Sequence, residues 1–292
     1  MPESTMPEST MPESTMPESS ICLTFDFDAI SLWLARGMPS PGPVSRGEFG
    51  AHAMPRILRA LAERGITATF FIPGHTVDTY PAECAAIAEA GHEIALHGYA
   101  HEPVSKLDRA GELAAALRAR DSIRKVTGYE PTGNRTPSWD FTTSTVDVLL
   151  ELGCEYDSSL MGTDYTPYYA RRGDVADPDG PYRFGEPTSL VELPVSWSLD
   201  DYPQFEYLRT DTGIMPGLRD PGTVFGNFLD DVDYMMREEP GGVCVLTFHP
   251  QVIGRGHRML GLERFLDACL ERPLAFRTCQ DAARAFRSPA GS

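Results

Sequence analysis

The sequence predicts an α/β protein whose parallel sheet closes into a barrel. Three observations carry this. From residue 21 onward, short β-like runs alternate with helix-like runs through the 292-residue chain, and repeated β-then-α units imply a parallel sheet covered by helices. The units are numerous enough for a barrel, and one barrel domain of this length is ordinary. The first strand runs into Asp26-Phe27-Asp28, not into the G-x-G-x-x-G turn that an open dinucleotide-binding sheet would want.

Residues 21–28 read as the first strand. Residues 51–64 have helical spacing through Ile57, Leu58 and Leu61, with Gly65 as the stop. Residues 67–73 are β-branched and aromatic, hence a strand. An Ala-rich helix over 81–90 ends at Gly91, and residues 93–97 form the next strand. Helical spacing over 107–126 precedes a weaker strand at 132–136, and a helix over 144–152 ends at Gly153. Residues 155–158 and 190–195 are short strands, 224–237 a helix, and 243–248 an apolar strand. A helix over 259–270 and segments 275–279 and 282–286 close the chain. Residues 160–189 read as one long Gly/Pro/Tyr/Asp-rich loop, a length that usually signals function.

The net charge is −17, with 42 acidic against 25 basic residues. Phosphate binding needs concentrated positive charge, so nucleic acid and anionic membranes are poor partners. No apolar run reaches the length of a membrane span. The six cysteines (Cys22, Cys84, Cys154, Cys244, Cys269 and Cys279) show no C-x-x-C spacing and read as reduced core residues. Residues 1–20 are near-copies of Met-Pro-Glu-Ser-Thr. They have neither the basic start nor the apolar stretch of a secretory signal. They are expected to be disordered, followed by one barrel domain over 21–292, in a cytoplasmic protein.

Functional groups of parallel barrels collect where strands end. Here those positions carry Asp26 and Asp28, then His97 with His101 beyond it, Arg135, Trp197 and Asp200, and His249. Asp26 and Asp28, two apart on a strand, share a face. Carboxylates that close need a cation, or one pKa must rise. His97 and His101 are four apart, which on a helical turn puts both rings on one side. With a carboxylate from Asp28 they would make a two-His, one-carboxylate site with an open position for water. Zinc suits such a site, and iron, cobalt, nickel or manganese also fit. Each piece alone is commonplace; their convergence on one rim is not. His75, after Pro73-Gly74 at a strand end, is a further candidate for reaching the substrate.

These residues resemble the motifs of the polysaccharide deacetylases, the NodB-homology group. Thr24-Phe25-Asp26-Phe27-Asp28 is similar to the family's T-F-D-D with one residue inserted. His97-Gly-Tyr-Ala-His101 looks like its H-x-x-x-H, and Arg135-Thr-Pro137 like its R-x-P. Glu192-Leu-Pro-Val-Ser-Trp197 falls where a motif with a pocket-wall Trp is expected, and Leu246-Thr-Phe-His249 looks like L-x-x-H. The resemblance implies a distorted (β/α) barrel of about seven strands. It also implies metal binding by Asp28, His97 and His101, with Asp26 as general base held by Arg135 and His249 as general acid. Leu246 and Trp197 would line an acyl pocket, and a backbone N–H near Ser138 would help hold the oxyanion. The D-F-D spelling, Gly98-Tyr99 and Glu102 beside the histidines, and the Ser198–Pro203 segment are similar to a branch with cyclic imide hydrolases and allantoinase-like proteins.

Three functions follow. One is de-N-acetylation of an N-acetyl sugar. A second is hydrolysis of a small cyclic imide, ureide or amide in the cytosol, favoured if the 160–189 loop closes over the pocket. The third, a silent carbohydrate-binding barrel, would predict loss of at least one of Asp26, Asp28, His97, His101 or His249, and all five are present. Oligomeric state stays open, since a loop of this length can complete a neighbour's pocket.

Overall fold

The computed structural model describes residues 18–210 and 213–287. The chain runs β1 (Ser20–Asp26), α1 (Ser31–Ala35), α2 (Pro41–Ala62), β2 (Thr69–Ile72), α3 (Gly74–Thr79), α4 (Pro81–Glu89), β3 (Glu93–Leu96), α5 (Arg109–Thr127), β4 (Gly133–Asn134), α6 (Thr145–Glu151) and β5 (Tyr156–Asp157). It continues through β6 (Tyr168–Arg172), β7 (Glu186–Glu192), α7 (Asp201–Phe205), β8 (Leu208–Thr210), β9 (Gly213–Met215), α8 (Pro221–Glu238), β10 (Val243–Phe248), α9 (Pro250–Ile253), α10 (Gly256–Leu270), β11 (Ala275–Phe276) and α11 (Cys279–Arg287). Along the main sheet β10, β1, β2, β3, β4, β5 and β7 pair in parallel, and β6 adds antiparallel to β7. The open ends of the curled sheet approach through a single parallel bridge, Asp200 to Thr247. This is the distorted barrel the motifs imply.

Side-chain parity divides the core. Ile21, Leu23 and Phe25 of β1 join Cys244, Leu246 and Phe248 of β10 in the layer between sheet and helices. Cys22 and, on β10, Val243 and Val245 turn the other way, into the barrel with Phe71, Ala95 and Tyr156. Alternation therefore carries Thr24 and Asp26 inward on β1, and Thr247 inward on β10. The apolar interior is closed by Cys279, Ala282 and Ala283 of α11. All six cysteines are free and buried, as their apolar settings predict. Among the described residues no helix is long and apolar enough to cross a membrane.

Four expectations need correcting. Helix α2 starts ten residues before the predicted 51. Pro41 and Pro43 fall in its first turn, where a missing N–H costs nothing. Gly47 lets α2 pack on the loop after β1, because a Cβ there would lie 2.5 Å from the Ala29 carbonyl oxygen. Residues 160–189 are no single loop: β6 and the start of β7 form an antiparallel pair, with Arg171 opposite Pro187. Neither strand alternates cleanly: β6 reads Tyr-Tyr-Ala-Arg-Arg, and β7 opens on Glu186 and Pro187. The short α1, α3, α7 and α9 and the β8–β9 pair were also missed, each being shorter than the window in which periodicity shows. Finally, β1 begins at Ser20, and Ser19 is buried, its hydroxyl accepting from the Gly241 amide at 3.0 Å. Most of the repeat expected to be disordered, residues 1–17, lies outside the described residues.

Candidate active site

Each site residue sits just past a strand that points it inward. Asp26 is the last residue of β1 and Asp28 lies two further on; His97, Arg135 and His249 directly follow β3, β4 and β10. His101 arrives differently from the expectation. Residues 97–101 form a tight turn, not a helical one, with left-handed backbone at Gly98 (φ 66°) and at His101 itself (φ 58°). Glu102 stabilises that turn: one carboxylate oxygen accepts from the Tyr99 amide at 2.9 Å and from the Ala100 amide at 2.8 Å.

The result is a buried cluster of acids and imidazoles. Asp28 Oδ1 lies 3.3 Å from His97 Nε2 and 3.6 Å from His101 Nε2. Its Oδ2 lies 3.8 Å from His249 Nε2. Neither oxygen of Asp28 accepts a hydrogen bond among the described residues. His97 Nδ1 is 2.7 Å from the Arg135 carbonyl oxygen; with the proton on Nδ1, Nε2 presents its lone pair to the cluster. Asp28, His97 and His101 therefore form a donor set able to hold a metal ion, their ligand atoms all within 4.8 Å of one another.

Asp26 is held otherwise. Its Oδ1 accepts from Arg135 Nη1 at 2.8 Å, while Oδ2 faces His97 Nε2 at 3.8 Å and His249 Nε2 at 4.0 Å. Arg135 is 0% exposed and fully engaged: Nη1 also donates to Thr24 Oγ1, Nε to the Ser158 carbonyl and Nη2 to Ser158 Oγ. Its guanidinium lies 4.2 Å from the Phe71 ring centre. Such a buried cation is tolerated because each of its three nitrogens meets an acceptor and Asp26 supplies the counter-charge.

His249 has a partner that sequence reading did not assign. Asp201 Oδ1 is 2.8 Å from His249 Nδ1 and accepts the His249 backbone N–H at 3.0 Å. Asp200 Oδ1 is 3.6 Å from the same Nδ1. The paired acids after β7 were the available signal, and only Asp200 was read as a rim residue.

The charges explain the titration behaviour. Burial alone would raise the Asp28 carboxyl, but His101, His97 and His249 override it and hold it well below the usual range. Burial would lower His249, yet Asp200 and Asp201 push it up to about 10. Burial raises Asp200 to about 7, with His249 opposing. His97 and His101 diverge although both face Asp28. For His97, burial is outweighed by Asp26, Asp28 and the Arg135 carbonyl, so its pKa rises. For His101, burial dominates, Asp28 offsets it only in part, and the charges of His97 and Arg36 oppose protonation, leaving it near 4. A cation bound here would replace the protons as the neutralising charge.

These groups floor a cavity of about 370 Å³ whose walls include Leu32, Arg36, Ser138, Trp139, Trp197 and Tyr202. Trp139 and Trp197 pack against each other with ring centres 4.1 Å apart and planes tilted by 32°. Ser138 and Trp139 both adopt left-handed backbone, and the Trp139 amide already donates to the Thr136 carbonyl. Two expected pocket residues are elsewhere. Leu246 has the wrong parity: it is fully buried in the layer between sheet and helices. His75 does not line the cavity; its Nδ1 lies 3.1 Å from Ser31 Oγ and its ring packs edge-on to Tyr99. Nor does any residue of 160–189 line it; the walls come from the segments after β1, β4 and β7. Arg36, Trp139 and Tyr202 were not assigned to the wall from sequence, because nothing local marks them.

Fold and cluster together define a class: a distorted (β/α) barrel with acids and imidazoles gathered at its strand ends. Residues 13–156 match the family model described as polysaccharide deacetylase. A peptidoglycan deacetylase of Helicobacter pylori is 34% identical over 255 residues, covering 83% of this chain and 87% of that protein. A solved structure from Mycobacterium smegmatis assigned to the polysaccharide deacetylases superposes with a TM-score of 0.82 at 31% identity, covering 98% of this chain and 96% of that one. The chain belongs to the polysaccharide deacetylase family, whose deacetylases are hydrolases of amide bonds. A solved allantoinase shares the fold, with a TM-score of 0.74 at 19% identity over 93% of this chain and 91% of its own.

Proposed function

We propose that this protein is a metal-dependent amide hydrolase that removes the acetyl group from an N-acetyl sugar. One observation carries the reading: a buried carboxylate, Asp28, whose two oxygens accept no hydrogen bond among the described residues, beside the Nε2 atoms of His97 and His101. An unpartnered buried carboxylate is costly, and a divalent cation is the partner this donor set suits. Zn²⁺ fits best; Fe, Co, Ni or Mn are compatible. When bound, such an ion acidifies water and polarises the amide carbonyl.

The protein's own groups supply the rest. Asp26, pinned through Oδ1 by Arg135, turns Oδ2 toward the centre and takes the proton of the attacking water. An amide nitrogen leaves only once protonated, and His249 Nε2, facing the same centre, delivers that proton. Asp201 on Nδ1 fixes the orientation of the ring and keeps it charged. Trp139, Trp197 and Ser138 bound the space for the acyl group and its sugar.

The role of Asp201 has a pH signature. The acid must be protonated, so activity is lost as pH rises through the His249 pKa, which Asp200 and Asp201 raise. Asp201→Asn removes one of those charges while retaining an oxygen acceptor for Nδ1. The alkaline limb of kcat against pH is expected to move to lower pH by about one unit or more. A limb that stays in place would assign the proton to another group.

A second reading, hydrolysis of a small cyclic imide or ureide, is favoured by the modest, aromatic-walled cavity of about 370 Å³. Zinc-loaded and chelated protein assayed on N-acetylglucosamine oligomers and on succinimide separates the two. Metal-dependent acetate release is the expected result; ring opening alone would replace the first reading by the second.

A further inference from the structure

The cavity wall carries one guanidinium, Arg36, whose setting is unlike that of the other charges around it. It follows α1 and extends beside Tyr202, to whose hydroxyl oxygen Nη1 donates at 2.6 Å. Its guanidinium carbon lies 5.2 Å from the centre of the Tyr202 ring and 5.7 Å from that of the buried Trp33. Arg46 flanks the same Trp33 indole, at 4.6 Å, but is ion-paired with Glu206. Arg36 has no carboxylate partner among the described residues, in a chain of net charge −17. The second guanidinium near the centre, Arg135, is fully buried, ion-paired with Asp26 and hydrogen-bonded through all three of its nitrogens. Arg36 is thus held by aromatic contacts and one hydrogen bond, with donors left over. That pre-organises a guanidinium for a planar anion at little entropic cost.

The rest of the wall fits this. Asp26, Asp28 and Asp200 all line the cavity and repel an anion from its floor. Besides the His249 imidazole, which is paired with Asp201, Arg36 is the basic side chain on that wall, and it has no carboxylate partner among the described residues. A volume of about 370 Å³ accommodates one sugar residue or a molecule of that size.

We infer that Arg36 is the specificity-determining residue of this cavity, and that the amide substrate carries a carboxylate which the Arg36 guanidinium binds while the amide lies against Asp26, Asp28 and His249. The inference rests on the amide-hydrolase reading for the orientation of the substrate, but not for the binding of its carboxylate.

The test uses N-acetylmuramic acid and its methyl ester, which lacks that charge and adds one methyl group. Zinc-loaded wild type is expected to prefer the acid by about tenfold or more, in binding measured by calorimetry and in kcat/KM for acetate release. Arg36→Met, which keeps an aliphatic stem against Trp33, should reduce the acid-to-ester ratio toward one; Arg36→Lys should fall between. Wild type with no preference for the acid, or Arg36→Met lowering acid and ester in the same proportion, would overturn the assignment. Acetate release from both without preference would remove Arg36 and leave the deacetylase reading intact. Acid-selective binding that Arg36→Met abolishes, without acetate release from either compound, would keep Arg36 and remove the deacetylase reading.

Discussion

Asparagine at position 26 is expected to lower kcat by about 10²- to 10⁴-fold, the usual contribution of a positioned general base, without lowering the zinc content of the protein. The two acids of the D-F-D segment have opposite surroundings, and the expectation follows from that contrast. Asp26 Oδ1 is committed to Arg135, whereas Asp28 has no hydrogen bond and stands nearer the imidazoles. Asparagine keeps an oxygen for Arg135 Nη1 but can no longer take a proton. The guanidinium, which also donates to Thr24 and to Ser158 twice, loses its counter-charge but not its hydrogen bonds. Some thermal stability should be lost, because removing one partner of a buried ion pair costs about 3–5 kcal/mol when nothing replaces it, and the retained hydrogen bonds should keep the loss below that. The measurement pairs single-turnover acetate release with metal analysis of the same sample. A kcat within threefold of wild type would remove Asp26 as base, and loss of zinc would make it a ligand.

Much of the site was legible because it depends on two periodic facts: strands alternate, and barrels place function where strands end. Asp26, Asp28, His97, Arg135 and His249 all obey both, and the structure brings them together as read. Leu246 shows what happens when parity is not applied. It sits on β10 three residues before His249, which directly follows that strand, so the two face opposite ways and only His249 reaches the cavity. His101 reached the cluster by a route that spacing alone misdescribed: i,i+4 implies a shared helical face, yet a left-handed turn stabilised by Glu102 does the same work. Asp201 and Arg36 lie in short segments without periodicity, and their partners are 48 and 166 residues away in sequence. No local pattern encodes contacts of that range; only the closed fold does.

Alanine at position 97 is expected to abolish stoichiometric zinc, and with it the stability that zinc confers. A ligand present at a hundred times its dissociation constant stabilises the folded state by about 2.7 kcal/mol, so wild type should melt several degrees higher with zinc than with chelator, and His97→Ala should not. Two other effects of the substitution must be separated from this. The Arg135 carbonyl, which His97 Nδ1 now meets at 2.7 Å, is left buried without that donor, at a cost of about 1–3 kcal/mol with or without metal. The difference between zinc and chelator cancels that cost, which is why it is the quantity to read. The second complication is His249, whose Nε2 is 3.8 Å from Asp28 Oδ2 and could move onto the ion in place of the missing ring. It is held back by Asp201 on both its backbone N–H and its Nδ1, so any rescue should be weak and should vanish in His97→Ala/His249→Ala. One zinc per chain retained by His97→Ala, or an undiminished rise in melting temperature, would sink the ligand set and also the role of His249, since an imidazole free to bind the metal is not one reserved for a proton.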